Sequence, residues 1–417
     1  MAHPATIAPE LARSKLMADA SCVATSERIP ADDALGRILS ADMVATANLP
    51  ATANAAVDGY AVHADFFAAN PDHEFEIVGR AAAGHPFDGV VAPGQAIRIF
   101  TGAVMPNGPD GPDAVAMHED CDASATTVRL QAHLQSRLRP GSNHRPAGEN
   151  IAIGEIIIPA GKRLGPADLG IAAAAGAAML DVQRPLRVGL LSMGDEIVEA
   201  GSVLAAGQSH DSNRPMLAAL LRADGHEVVD YGIIGDDAAA LTRAYGDGLG
   251  DCDVVLSSGG ASDGDEDHTQ QALQDVGTSL IFWRLAMKPG RPMAVGALGA
   301  KRVFCLPGNP VAAFVCYRLL TAPVLMVMAG AMVRPAMRLS VKAGFAHKKT
   351  AGRAEYLRVI ITPDDNGVMV MHLHGRRGAG VLSSLTGADG IVEIPIENTG
   401  VAVGDYLQFI PMREAAL

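Results

Sequence analysis

Hydrophobic and polar positions change period several times along this chain. Residues 1–45 read as a helix followed by a short connector. From Asp58 to about Gly141 the apolar runs are short. Phe75–Val78, Ala96–Phe100, Ala114–Met117 and Thr127–Leu130 stand between Gly and Pro turns and predict the strands of a small β-rich domain. Residues 142–185 return to loop and an Ala-rich helix, expected to rejoin the N-terminal helix in one discontinuous domain.

From Leu186 the pattern becomes an alternation of strand and helix. Leu186–Ser192, His226–Ile234 and Val254–Leu256 read as strands. A helix over Pro215–Ala223 has Asp211, Ser212 or Asn213 as its N-terminal cap and Gly225 at its end. Asp237–Tyr245 reads as the next helix. Leu280–Leu285, Met293–Val295 and Arg302–Leu306 read as further strands, and Val311–Ala329 as a long helix. Strands alternating with helices imply a mostly parallel α/β sheet, which takes ligands at the carboxyl ends of its strands. Residues 335–417 again show short strands between Gly and Pro turns, consistent with a small β-barrel. The expected architecture is a multidomain α/β protein. Its parts are a discontinuous N-terminal linker domain (1–45 and 142–185), a β-rich insert (46–141), an α/β ligand-binding domain (186–332) and a C-terminal β-barrel (333–417).

Composition narrows the function. At roughly 150 residues per domain, 417 residues suit two to four domains. A hydrophobic share of 49% is enough for sizeable cores. Aromatics at 4% and a formal charge of −13 argue against a nucleic-acid binder, which needs stacking platforms and a basic face. The five cysteines form no Cys-x-x-Cys pair, as expected of reduced thiols in a cytoplasmic protein. Met1–Ala20 has no apolar signal core, and the Ala167–Leu180 run is too short to cross a bilayer, so no membrane role is expected.

The densest chemistry lies in residues 253–268. An apolar run ends in Ser257-Ser258-Gly259-Gly260, and Asp263, Asp265, Glu266 and Asp267 follow. Gly259, Gly260 and Gly264 allow a sharp turn whose backbone N–H groups a phosphate can approach, with a carboxylate beside it for a divalent metal. Met193-Gly194-Asp195-Glu196 follows the first α/β strand and belongs on the same sheet edge. Lys288-Pro289-Gly290-Arg291-Pro292 holds two cations on a stiff loop suited to an oxyanion. Leu306-Pro307-Gly308-Asn309-Pro310 opens a helix whose first N–H groups face outward. Gly260-Ala261-Ser262-Asp263-Gly264 also fits a serine-hydrolase nucleophile elbow. Asp263 argues against it, because a carboxylate beside the oxyanion raises the barrier.

Together these segments resemble the molybdopterin molybdotransferase family, which includes the C-terminal domain of gephyrin. The resemblance is carried, in order, by Asn54-Ala-Ala-Val-Asp-Gly-Tyr-Ala61, Arg98-Ile-Phe-Thr-Gly102, Gly148-Glu149-Asn150, Ser192-Met-Gly-Asp-Glu196, Asp211-Ser-Asn213, Ser257-Ser-Gly-Gly-Ala-Ser262 and the two Pro/Gly loops at 288–292 and 306–310. It implies an elongated homodimer that inserts molybdate into adenylylated molybdopterin, releasing AMP with the help of Mg2+. It further implies that Gly259, Gly260, Ser262 and Gly264 hold the pterin phosphate, that Asp267 carries the metal, and that Glu196 and Asp236 complete the acidic side. Lys288, Arg291, Pro307, Pro310 and Arg353 would receive molybdate, and Asp58 and Thr101 would arrive from the other subunit. An adenylyltransferase upstream and molybdoenzymes downstream are the implied partners. Asn150, Asp263, His268 and Ala312 depart from the family pattern. A delivery protein of the same fold without chemistry is the alternative reading.

Overall fold

The computed structural model describes residues 6–106, 110–260 and 268–412. Helix Pro9–Asp19 begins with a proline at its first turn, where a missing N–H costs nothing, and buries Ala12 and Leu16. The expected connector carries short strands. Ser26–Pro30 and Ile38–Leu39 flank Met179–Gln183 in a three-stranded sheet, joining the first and third stretches of the chain. The Ala-rich segment is helical only over Pro166–Ala174. Gly176, at φ +82°, takes the left-handed conformation that ends helices, and the chain leaves it as the strand Met179–Gln183.

Between these stretches lies a six-stranded sheet in the order Ala114–Met117, Gly59–Val62, Gln95–Ile99, Glu74–Ala81, Thr127–Leu130 and Cys121–Ala123. Its side chains alternate between two cores. Tyr60, Val62 and Ala96 face Phe67 and Phe75, whereas Ala61, Ile97 and Ile99 face Val91 and Val115.

The α/β sheet runs in the order Glu227–Ile234, Arg187–Met193, Val254–Ser258, Lys301–Leu306, Pro292–Leu298 and Ser279–Arg284. The first four strands are parallel. Pro292–Leu298 runs against them, because Leu298 and Lys301 pair across Gly299-Ala300, a turn too short for a crossover connection, and it pairs antiparallel with Ser279–Arg284 as well. Val188, Leu190, Val254 and Leu256 pack under helices Asn213–Ala223 and Pro310–Met328. Leu191, Val255, Val303 and Cys305 pack under helix Ala238–Asp251 and helix Thr269–Asp275. Burial on both faces explains why these strands read as continuous apolar runs. Among the described residues, Pro310–Met328 is the one helix long and apolar enough to cross a membrane, and 72% of its most apolar window is buried in the protein.

The C-terminal strands Leu339–Ala343, Ala354–Pro363, Met369–Leu373, Gly390–Ile394 and Tyr406–Pro411 form a closed five-stranded barrel, sealed where 354–363 pairs with 390–394. Met287–Lys288, from the α/β domain, adds to its edge in parallel with Ala354 and Glu355.

Candidate active site

Register places Ser192 opposite Ser258 and Ser258 opposite Leu306, so three parallel strands end at one level. The loops beyond them enclose a cavity of about 710 Å3. Gly259 turns with φ +98°, its N–H donating to the carbonyl of Leu306 at 3.1 Å. A Cβ there would lie 2.6 Å from the backbone oxygen of Met193, so only glycine permits this approach. Opposite it run Pro307, Gly308, Asn309 and Pro310, and the rim carries Glu196 and Asp236.

Two loops on the rim lock each other. The N–H of Asp236 donates to Asp195 Oδ1 at 3.0 Å, and that of Asp195 to Asp236 Oδ2 at 3.3 Å. Beneath them Asn213 joins three segments, its Nδ2 donating to Ser258 Oγ at 2.8 Å and to Gly308 O at 2.7 Å. The Asn213 Oδ1 and Ser192 Oγ atoms are buried without a hydrogen-bond partner, although both residues line the cavity. Orphaned polar atoms beside a cavity are what a polar ligand would satisfy.

Of the residues singled out from sequence, Glu196, Asp236, Gly259, Gly260, Pro307 and Pro310 meet at this cavity. Ser262, Gly264 and Asp267, with neighbouring Asp263, lie outside the described residues. Lys288, Arg291 and Arg353 do not line the cavity, although Pro292 does. Lys288 Nζ instead bonds Glu355 Oε1 at 3.1 Å, while His347 Nε2 meets Glu355 Oε2 at 2.6 Å. Burial pushes the Glu355 carboxyl up, but these two partners outweigh it and hold the group below the usual carboxylate range. Arg291 and Arg353 are exposed.

Asp58 and Thr101 pair in the β-rich sheet. Asp58 Oδ1 accepts from the Thr101 N–H at 2.8 Å and from its hydroxyl at 2.7 Å, which holds the carboxyl below its ordinary pKa. No described residue of 46–141 lines the cavity.

Sequence reasoning treated Asn213 as a helix cap and missed its bridging role, for which the Asp211-Ser-Asn213 motif was the signal. It also missed the barrel's share of the site. The N–H of Val311 donates to Ala379 O at 3.0 Å, and Gly380 lines the cavity. Arg358, buried in the barrel, shapes this loop by donating to Ser384 Oγ at 3.0 Å and to the carbonyls of Arg376 and Gly378 at 3.3 and 3.4 Å.

Residues 7–176 match the MoeA N-terminal region (domain I and II), 189–327 the probable molybdopterin binding domain, and 340–412 the MoeA C-terminal region (domain IV). A molybdopterin molybdenumtransferase of Haemophilus influenzae is 32% identical over 404 residues, covering 96% of this chain and 98% of that protein. Molybdopterin molybdenumtransferase 2 of Mycobacterium tuberculosis is 32% identical over 390 residues, 91% of this chain and 93% of the other. The crystal structure of the molybdopterin biosynthesis moeA protein of Pyrococcus horikoshii superposes with a TM-score of 0.82 at 26% identity, covering 98% of this chain and 100% of that one. The fold and its glycine-lined strand-end cavity are thus those of a multidomain molybdopterin-binding transferase. The chain belongs to the molybdopterin molybdenumtransferase family.

Proposed function

We propose that this protein acts in molybdenum cofactor biosynthesis as a transferase, inserting molybdate into adenylylated molybdopterin and releasing AMP. The observation that carries the reading is the cavity at the strand ends, where the Gly259 turn faces the Pro307–Pro310 loop and carboxylates stand on the rim. Its size suits a ligand of nucleotide dimensions. The Gly259-Gly260 turn, which has no Cβ, would let a phosphate come close to the backbone, while the orphaned Asn213 Oδ1 and Ser192 Oγ would take its polar neighbours. With both reactants anionic, the protein's task is to bring them together and offset their repulsion, so positioning supplies most of the rate.

Mg2+ fits the donors on the rim. It prefers carboxylate oxygens and is commonly held by one or two of them together with substrate phosphates and water. Asp236 and Glu196 would hold it, with Asp267 as a third carboxylate; when bound, it would neutralise pyrophosphate charge. The protein works in the cytoplasm as a homodimer, and Asp58 and Thr101 reach the cavity of the partner subunit. An adenylyltransferase supplies its substrate and molybdoenzymes take its product.

AMP release by the purified protein, given adenylylated molybdopterin, Mg2+ and molybdate, tests this reading. AMP that depends on molybdate and is lost in Asp267→Ala supports insertion. Tight binding of the adenylylated pterin without AMP means that the fold serves delivery alone.

A further inference from the structure

Away from the strand ends, separate parts of the chain bring four arginines to a second cavity, of about 430 Å3. Arg13 comes from the N-terminal helix, Arg163 from the extended segment that bridges to Ile38, Arg318 from the long helix, and Arg334 from the connector before the barrel. Such a concentration is unexpected in a chain of net charge −13, because four guanidiniums at one place repel each other unless an anion joins them.

The protein's own groups only partly answer that charge. Asp224 is the one acidic residue among the described lining, and it is already engaged. Its Oδ2 accepts from the Tyr317 hydroxyl at 2.7 Å, and its Oδ1 lies 3.6 Å from Arg318. Arg163 donates Nε to Gly36 O at 3.1 Å and Nη2 to Ala223 O at 2.8 Å, neutral acceptors that fix the fork without cancelling its charge. Arg13 pairs with Glu10, an exposed carboxylate also 4.0 Å from Arg338. Arg334 has no hydrogen bond or ion pair among the described residues.

Apart from Ser14, the remaining wall is apolar, with Met17, Met326 and Val333 in it. The volume falls in the small-molecule range of roughly 300–1,000 Å3. Planar guanidinium forks match phosphoryl oxygens, and three terminal oxygens engage several forks where a carboxylate offers two. We propose that this cavity, distinct from the strand-end site, binds a small phosphate ester. Its phosphoryl group sits among Arg163, Arg318 and Arg334, and its apolar body lies on Met17, Met326 and Val333.

Calorimetric titration of the full chain with phenyl phosphate, inorganic phosphate and phenol tests the proposal. Phenyl phosphate binds, phenol does not, and inorganic phosphate binds about tenfold more weakly because it leaves the apolar wall unused. Arg334→Glu weakens phenyl phosphate by at least roughly tenfold, having lost one charge-assisted contact and gained a repulsion. Arg334 is exposed, so this variant is expected to fold, and Val333→Asp tests the apolar wall independently. Binding unchanged in both variants, or no binding of phenyl phosphate, overturns the site. Equal affinity for inorganic phosphate overturns its assignment to an ester.

Discussion

Asn213 Nδ2 donates to the carbonyl oxygen of Gly308 at 2.7 Å, linking the start of one helix to the loop that opens another. The same nitrogen holds Ser258 Oγ, at the end of the central strand, so one amide sets the spacing of the cavity's floor. Asn213→Ala leaves a part-buried carbonyl and a buried hydroxyl short of a donor. The expected cost is about 1–3 kcal/mol in urea unfolding, with AMP formation reduced further than stability alone explains. An unfolding midpoint within error of wild type would contradict this bridging role.

At Gly259 the close approach is to backbone, which cannot swing aside. Gly259→Ala places its Cβ 2.6 Å from Met193 O at a φ of +98°. Relief requires the turn to rearrange, so affinity for adenylylated molybdopterin is expected to fall by about tenfold or more, a free-energy loss of about 1–3 kcal/mol. Titration calorimetry reads this directly. Retained affinity would mean that the turn does not shape the ligand site.

Asp58 and Glu196 offer a test of the site between subunits. If each cavity takes Asp58 from the partner, Asp58→Ala and Glu196→Ala proteins are inactive alone. Random mixing of their subunits then restores about a quarter of wild-type activity, because half the dimers are mixed and each carries one intact site. A mixture as inactive as its components would place both residues in the same protomer's site.

His226 gives the fold a pH dependence. Burial drives its pKa down from 6.5 to about 4, and neither ring nitrogen has a partner. The unfolded chain therefore binds a proton below about pH 6.5 that the folded chain refuses until near 4. Stability rises with pH across that window, and this contribution is lost progressively as pH falls through it. Between pH 7 and pH 5 the loss is about 2 kcal/mol. His226→Phe is expected to flatten urea midpoints over this range; an unchanged slope would assign it to other groups.

How much of this was legible beforehand follows from the range of each interaction. Val254-Val255-Leu256 read as a strand because both of its faces are buried, and burial writes itself into local composition. The antiparallel edge was not legible, since strand direction depends on the Gly299-Ala300 turn and not on the apolar runs it joins. The glycine turn and the Pro307–Pro310 loop announced themselves by conformational demands that few residues meet. Asn213 did not, because its partners Ser258 and Gly308 lie 45 and 95 residues away. Lys288 read as a cation on a stiff loop awaiting an oxyanion, but it ends the short strand Met287–Lys288 and meets a carboxylate of the chain instead. That carboxylate, Glu355, lies 67 residues on and was passed over in favour of exposed Arg353, two residues before it.

The tie between Val311 and Ala379 makes the barrel a wall of the cavity as well as a neighbour of the domain that holds it. Lesions that disturb the loop at 376–380 and lesions at the glycine turn should therefore share one phenotype, though they lie in different structural modules. A chain cut after residue 332 would be a vessel missing one side, retaining its glycine turn but open to solvent where the barrel loop had stood.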